Sequence, residues 1–148
     1  MLYNHPINLF VASFIGSPSM NLIDGVLEAK DGNLVITGRD FTLRVPPERA
    51  HMIDQHVGAE VVLGIRPEHL FDREEVDAAP PDSTLSARVD LIEPLGSETL
   101  VHVLVGGQAM TARVSADSEI KRGQIVELVV DTRHLNVFDR KTQRALTR

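Results

Sequence analysis

Cysteine and tryptophan are absent from these 148 residues, and tyrosine occurs once. Without cysteine there is no disulfide framework and no thiolate metal site, a usage that fits a reducing cytosol. Aromatic residues make up 4% of the chain and the formal net charge is -6. A nucleic-acid groove holds phosphates with lysine and arginine and stacks bases on rings, so both figures argue against one. No apolar run approaches the roughly 20 residues that a membrane-crossing helix needs. A secretory signal would set basic residues ahead of its apolar stretch, and no lysine or arginine precedes residues 7–15. The dipeptide Gly-Lys occurs nowhere. A P-loop needs it, because backbone amides of the loop cradle phosphate while the lysine reaches the terminal groups.

What is present is a succession of short apolar runs broken by turn residues, on a chain long enough to bury roughly 70% of its unfolded surface. Pro6, Gly16 and Pro18 bracket a short N-terminal helix whose Ile7, Phe10, Val11, Phe14 and Ile15 share one face. That face either packs on the chain's own core or docks on a preceding domain. From Asn21 the pattern becomes β-like. Residues 22–29 and 34–37 flank the turn Asp31-Gly32-Asn33, and residues 41–45 alternate apolar with polar. Pro46-Pro47-Glu48 reads as the entry to a second short helix, with Ala50, Ile53 and Val57 on one side up to Gly58. Residues 78–83 form a loop. Beyond it Leu85, Ala87, Val89 and Leu91 are expected to face one way and Ser86, Arg88 and Asp90 the other. Residues 99–105 and 109–114 meet at Gly106-Gly107, a two-residue hairpin, and runs at 125–130 and 135–138 complete the set. Parallel pairing needs long crossovers that this spacing does not supply. The expected fold is therefore mainly β, one or two OB-like antiparallel barrels of five strands.

Few side chains are arranged for chemistry. The six histidines are scattered, with His51 and His56 five apart rather than the four that places two ligands on one helical face. His69 reads as a capping residue and His102 as an outward strand residue. Ser97 follows a glycine but lacks the Gly-x-Ser-x-Gly elbow and a placed base. Gly96 and Ser97 instead suit a turn, with the serine satisfying a local amide. Glu93 and Glu98 flank that turn, and two carboxylates do acid–base work only in a desolvated cleft. Ser83, Thr84 and Ser86 could contribute to oxyanion capture, although no lysine stands beside them. Arg133, Arg140, Lys141, Arg144 and Arg148 against Asp139 read as a solvated basic tail.

Three segments carry a resemblance. Gly64-Ile65-Arg66-Pro67-Glu68-His69-Leu70 closes the run Glu60-Val61-Val62-Leu63, where proline ends ladder pairing and fixes a corner. Leu95-Gly96-Ser97-Glu98-Thr99-Leu100-Val101-His102-Val103 reads as a tight turn into a strand, and residues 8–21, Asn8-Leu9-Phe10 through Met20-Asn21, open the chain. In that order they resemble the C-terminal regulatory part of ATP-binding subunits of sugar-importing ABC transporters, the maltose and glycerol-phosphate importer type. The resemblance is strongest at 8–21, 58–70 and 85–106 and is one of pattern elsewhere.

The resemblance implies a transport-associated OB (TOBE) domain at 22–148, preceded at 1–21 by a linker helix from an ATPase domain, with Met1 expected at the edge of a fragment. It implies a non-catalytic regulatory and dimerisation role in an importer of sugars or related solutes. No cofactor is expected on these residues; ATP and Mg would bind upstream, in the parent ATPase. The implied partners are a second copy of the subunit, its own ATPase domain, the transporter's membrane subunits indirectly and a cytosolic regulator, in a cytoplasmic location peripheral to the inner membrane. Candidate interaction residues are Arg66, Glu68, His69, Glu93, Ser97 and Glu98, and candidate interdomain residues are Ile7, Phe10 and Phe14. For Arg66 and Glu68 two readings stand: a surface pair worth about 0–1 kcal/mol that shapes the corner, or a rigid fork and its complement presented to a neighbouring domain. The competing function is a small-ligand barrel for a sugar or an oxyanion.

Overall fold

Burial alternates with period two along β1 (Asn21–Lys30): Ile23, Gly25 and Leu27 are buried while Asp24 and Glu28 are exposed. That pattern is repeated through most of the computed structural model, which describes residues 20–147. The remaining strands are β2 (Asn33–Gly38), β3 (Phe41–Arg44), β4 (Glu60–Ile65), β5 (Leu70–Asp72), β6 (Thr84–Pro94), β7 (Glu98–Val105), β8 (Gln108–Ser115), β9 (Ile125–Val130) and β10 (Asn136–Asp139). Helical structure among the described residues is slight: α1 (Pro47–Ala50) and four 3-10 turns, at Asp54–His56, Pro67–His69, Arg73–Glu75 and Thr132–His134. The fold is mainly β and OB-like, as the spacing of turns predicts.

The strands make one curled antiparallel sheet in the order β10-β4-β1-β2-β3-β6-β7-β8. The one or two barrels expected are thus a single curled sheet. Strand β6 takes two partners: its first half pairs with β9, Thr84 opposite Val129 through Arg88 opposite Ile125, and its second half pairs with β7. Strand β9 in turn pairs with β5. A single core fills the concave side, with Ile23, Leu27, Ile36, Leu43, Leu63, Leu85 and Leu128 wholly buried. Each such side chain contributes about 1.5–3 kcal/mol.

Turn chemistry sets the registers. Asp31 and Gly32 take φ of 52° and 80° between β1 and β2, and Gly106 and Gly107 take 55° and 84° between β7 and β8. Two successive positive φ values match the twist of the flanking strands, which is why such turns close hairpins. At Gly64 the need is for space: a Cβ would overlap the Met20 sulfur and press on the Phe138 ring. Met20, Val62 and Phe138 form a second, smaller buried cluster there. The C-terminal stretch covers it, with a bridge between Phe138 and Ala145 and the Leu146 amide donating to the Val137 carbonyl at 2.7 Å.

Strand β8 ends the sheet, and a side chain covers part of its edge. Asn21 Nδ2 donates to the Thr111 carbonyl at 2.8 Å while the Thr111 amide donates to Asn21 Oδ1 at 2.7 Å. One amide side chain thereby imitates a backbone pairing partner.

Two sequence expectations are corrected. The helix expected from Pro46 to Gly58 is one α turn followed by irregular chain and a 3-10 turn, and Val57 is 47% exposed. Ile53 is wholly buried, so one apolar anchor needed no continuous helix behind it. Leu91 faces outward, 51% exposed, because a β-bulge between Val89 and Leu91 shifts the register and turns Ile92 inward opposite Val101. An inserted residue inverts every later side chain of a strand, and alternation alone cannot reveal it. The expected N-terminal helix, with Ile7, Phe10 and Phe14, lies outside the described residues.

Candidate functional site

The candidate residues fall into two places. The first is the corner after β4. Pro67 stops the ladder, the His69 amide donates to the Arg66 carbonyl at 2.9 Å, and the 3-10 turn Pro67–His69 delivers the chain to β5. Arg66 is 2% exposed and Pro67 is buried, while Glu68 and His69 are half-buried. Arg66 therefore lies inside the fold rather than in a surface pair or on an outward fork.

The ring of His69 stacks on that of His134, centroids 4.4 Å apart and planes at 15°. His134 ends the turn Thr132–His134, and the Asp131 amide donates to the His69 carbonyl at 2.9 Å, so the two turns are tied by backbone as well as by rings. Burial holds the His69 imidazolium below the ordinary histidine range; His134 and Arg66 add to this while Glu68 and Asp131 oppose it. Arg133 grips Asp131 with two nitrogens, Nε to Oδ1 and Nη2 to Oδ2, each at 3.0 Å. That bond is the main reason the Asp131 carboxyl sits below the usual carboxylate range. From α1, Arg49 Nη1 donates to the Arg133 carbonyl at 2.7 Å, and burial lowers the Arg49 guanidinium against the pull of Glu48.

The second place is the turn between β6 and β7. Gly96 takes φ of 91°, and the Leu95 amide donates to the Glu98 carbonyl at 2.8 Å. Ser97 is exposed on the turn. Glu93 and Glu98 face different partners: Glu93 Oε1 meets His102 Nε2 at 3.0 Å, and Glu98 Oε2 meets Arg113 Nε at 2.7 Å. The other ring nitrogen of His102 lies 3.1 Å from Thr111 Oγ1. Asn21, Thr111, His102 and Glu93 are thereby linked in series across β1, β8, β7 and β6. Leu95 on the turn is 49% exposed, and farther along the outer face of the β6–β7 ladder Leu91 and Leu104 are 51% and 36% exposed.

The residues considered for oxyanion capture are not gathered. Ser83 is buried and its hydroxyl donates to the Pro80 carbonyl at 2.6 Å, while Ser86 is exposed. An open groove of about 860 Å³ lies between the turn Arg73–Glu75 and the chain after β8. Its walls carry Asp72, Glu74, Glu75, Asp117, Glu119 and Glu127 against Arg73, a charge balance that repels anions. No group of three His, Asp or Glu side chains suited to a metal ion occurs among the described residues.

Sequence reasoning overlooked Asn21, Arg49, Asp131 and His134. Asp131-Thr132-Arg133-His134 after a β run did carry a signal, since aspartate two residues ahead of an amide it can accept from is an Asx-turn pattern. Asn21 and Arg49 act through residues 84 or more positions away, and nothing local marks them.

The chain matches the MalK OB fold domain over residues 16–70 and the TOBE domain over residues 63–138. It is 36% identical over 147 residues to the uncharacterized ABC transporter ATP-binding protein YurJ of Bacillus subtilis, covering 98% of this chain and 40% of that one. It is 35% identical over 148 residues to the trehalose/maltose import ATP-binding protein MalK of Thermococcus litoralis, covering 98% and 39%. The chain thus spans about 40% of the length of these relatives. A solved structure of the cytoplasmic molybdate-binding protein ModG, with molybdate bound, superposes with a TM-score of 0.59 at 21% identity over 79% of this chain and 94% of that one. At that identity the likeness is one of fold. The chain belongs to the TOBE-domain family, and its homologues are ATP-binding subunits of sugar-type ABC importers.

Proposed function

We propose that residues 22–148 are the non-catalytic regulatory and dimerisation domain of an importer's ATP-binding subunit, joined through a linker helix at 1–21 to an ATPase domain. The observation that carries this is the likeness over 98% of the chain to ABC transporter ATP-binding proteins, one of them a trehalose/maltose import protein, about two and a half times as long. ATP and Mg belong to the other portion of such a protein, because no phosphate-cradling motif occurs in these residues. Its place would be the cytoplasmic side of the inner membrane, where it reaches the membrane subunits through the ATPase domain. No helix among the described residues is long and apolar enough to cross a membrane.

A two-fold contact needs a self-complementary patch of about 800 Å² on each partner. The outer face of β6, β7 and β9 offers apolar surface for such a contact with a second copy, since Leu91, Leu104 and Ile125 point to solvent there. The exposed turn at Ser97 and the Glu98–Arg113 pair border that face and supply polar contacts for the copy or for a cytosolic regulator. Arg66 is too deeply placed to take part directly, and its corner instead supports the fold beneath.

The test compares the full-length subunit with one lacking residues 22–148, by light scattering and by transport. Loss of self-association together with loss of regulated transport is expected. A monomeric full-length subunit whose transport survives the deletion overturns the reading. Calorimetry with molybdate, sulfate and the transported sugar separates the ligand-barrel alternative: heat at micromolar ligand favours it, and none is expected.

A further inference from the structure

We propose that the stacked His69–His134 pair is a proton-operated latch, closed when both rings are neutral and released in acid, that holds the turn Pro67–His69 against the turn Thr132–His134. The inference is independent of the importer reading. Three observations carry it. The rings lie face to face at 4.4 Å, where two imidazolium charges would repel. Nδ1 of His69 is buried and meets no hydrogen-bond partner. In a neutral ring that nitrogen can be the bare one, but an imidazolium carries a proton on both nitrogens, so protonation would leave a buried donor with no acceptor. The stack also sits beside a backbone tie, the Asp131 amide on the His69 carbonyl at 2.9 Å, which reports on the joint between the two turns.

The charges around the pair do not remove the conflict. Glu68 on the same turn and Asp131 on the facing one favour a charged His69, whereas Arg66 and His134 disfavour it and desolvation outweighs them all. Asp131 is also engaged by Arg133 at 3.0 Å and stands 3.8 Å from His134 Nε2. From α1, Glu48 and Arg49 face Arg133, and from β8, which packs on the turn Pro67–His69, Arg113 is committed to Glu98 at 2.7 Å. The first proton is thus resisted at His69.

A histidine whose folded-state pKa lies below its unfolded value, ordinarily about 6.5, contributes stability that is present above that value and is lost as pH falls through the folded one. The expected opening is local, at the joint between the β4–β5 and β9–β10 connections, and precedes global unfolding.

Nuclear magnetic resonance titration of the histidine ring protons in the full 148-residue chain tests the proposal between pH 8 and pH 5. His69 is expected to titrate below about 6.5, and His134→Asn is expected to raise its midpoint by removing the facing imidazole. Protection of the Asp131 amide against exchange, corrected for the intrinsic rate, is expected to fall as His69 titrates. Denaturant unfolding at pH 7 and pH 5 adds a global readout. The folded-to-unfolded ratio should fall further in the wild type than in His69→Asn, tenfold for each unit of depression seen by titration. His69 titrating at or above about 6.5 overturns the latch, as does Asp131 protection that is indifferent to pH. If His69→Asn does not fold, the wild-type titration and the His134→Asn shift decide between the two outcomes.

Discussion

The corner after β4 and the turn after β6 are built from the same kinds of residue, arginine, glutamate and histidine, and use them in opposite ways. At the corner Arg66 is 2% exposed and His69 stacks on another ring; at the turn both side chains of the Glu98–Arg113 pair are 33% exposed. A charge screened by water can be offered to a partner or withdrawn at little expense. A buried one fixes its surroundings, because taking a charge from water without compensation is several kcal/mol unfavourable. The sequence motif that looks most like a contact site is therefore part of the framework, and the plainer turn is the surface.

The largest effect that would break this comparison is at Arg66. Arg66→Ala removes a buried guanidinium with its packed stem and is expected to destabilise the chain by about 3 kcal/mol, whereas Arg113→Ala should cost less than about 1 kcal/mol. Chemical denaturation of both variants measures the contrast. Equal losses would mean that the corner is solvated in solution and that its arginine is available to a partner after all.

Next in size is the clasp at the edge of β8. Asn21→Ala leaves the Thr111 amide and carbonyl without the partners they have at 2.7 and 2.8 Å, and about 2 kcal/mol is expected to be lost, within the range for stranding buried backbone groups. Asn21→Asp keeps the acceptor and loses the donor, so its effect should fall between wild type and Ala. Because Thr111 is also in contact with His102, the ring resonances of His102 should move in both variants. Resonances that stay fixed would show that the series from Asn21 to Glu93 is not coupled.

The fold was largely legible in the chain because strand alternation and turn residues are local signals. The Asp31-Gly32 and Gly106-Gly107 hairpins and the stop at Pro67 each depend on the backbone freedom or restriction of one or two residues. The failures were of another kind. The bulge before Leu91 depends on what β7 places opposite it, and after Pro46 the chain carries Ile53 into the core without a continuous helix. At the site, Arg66 and His69 were found by motif, but their burial and the approach of His134 depend on chain 65 positions away. Asn21 had no local mark at all.

A smaller effect separates the two regions by pH. The Asp131 carboxyl is held below its ordinary range, chiefly by Arg133, so its contribution is present above the unfolded value near 3.9 and is lost as pH falls through the lower folded value. Asp131→Asn should therefore flatten the acid limb of the unfolding curve below about pH 4. It should leave the limb assigned to His69, which begins near pH 6.5, recognisable. Acid unfolding followed by circular dichroism resolves the two limbs, and a single limb unchanged by the substitution would remove Asp131 from the framework.

The smallest expected effect lies on the exposed turn and is the sharpest test of its being a surface. Glu98 and Arg113 approach to 2.7 Å, a short contact, yet both side chains are wet and long, so ordering them offsets much of the Coulomb gain. A double-mutant cycle through Glu98→Gln and Arg113→Gln should give a coupling of about 0.2–1 kcal/mol. Raising the salt from 0.1 M to 1 M shrinks the screening length from about 10 Å to about 3 Å and should erase most of it. The same cycle run on a subunit that self-associates would read differently if the turn is covered there: the coupling would grow and resist salt, because the pair would have lost its water. A coupling already large and salt-insensitive in the monomeric chain would place Glu98 and Arg113 in the framework beside Arg66 and leave the outer face without its polar border.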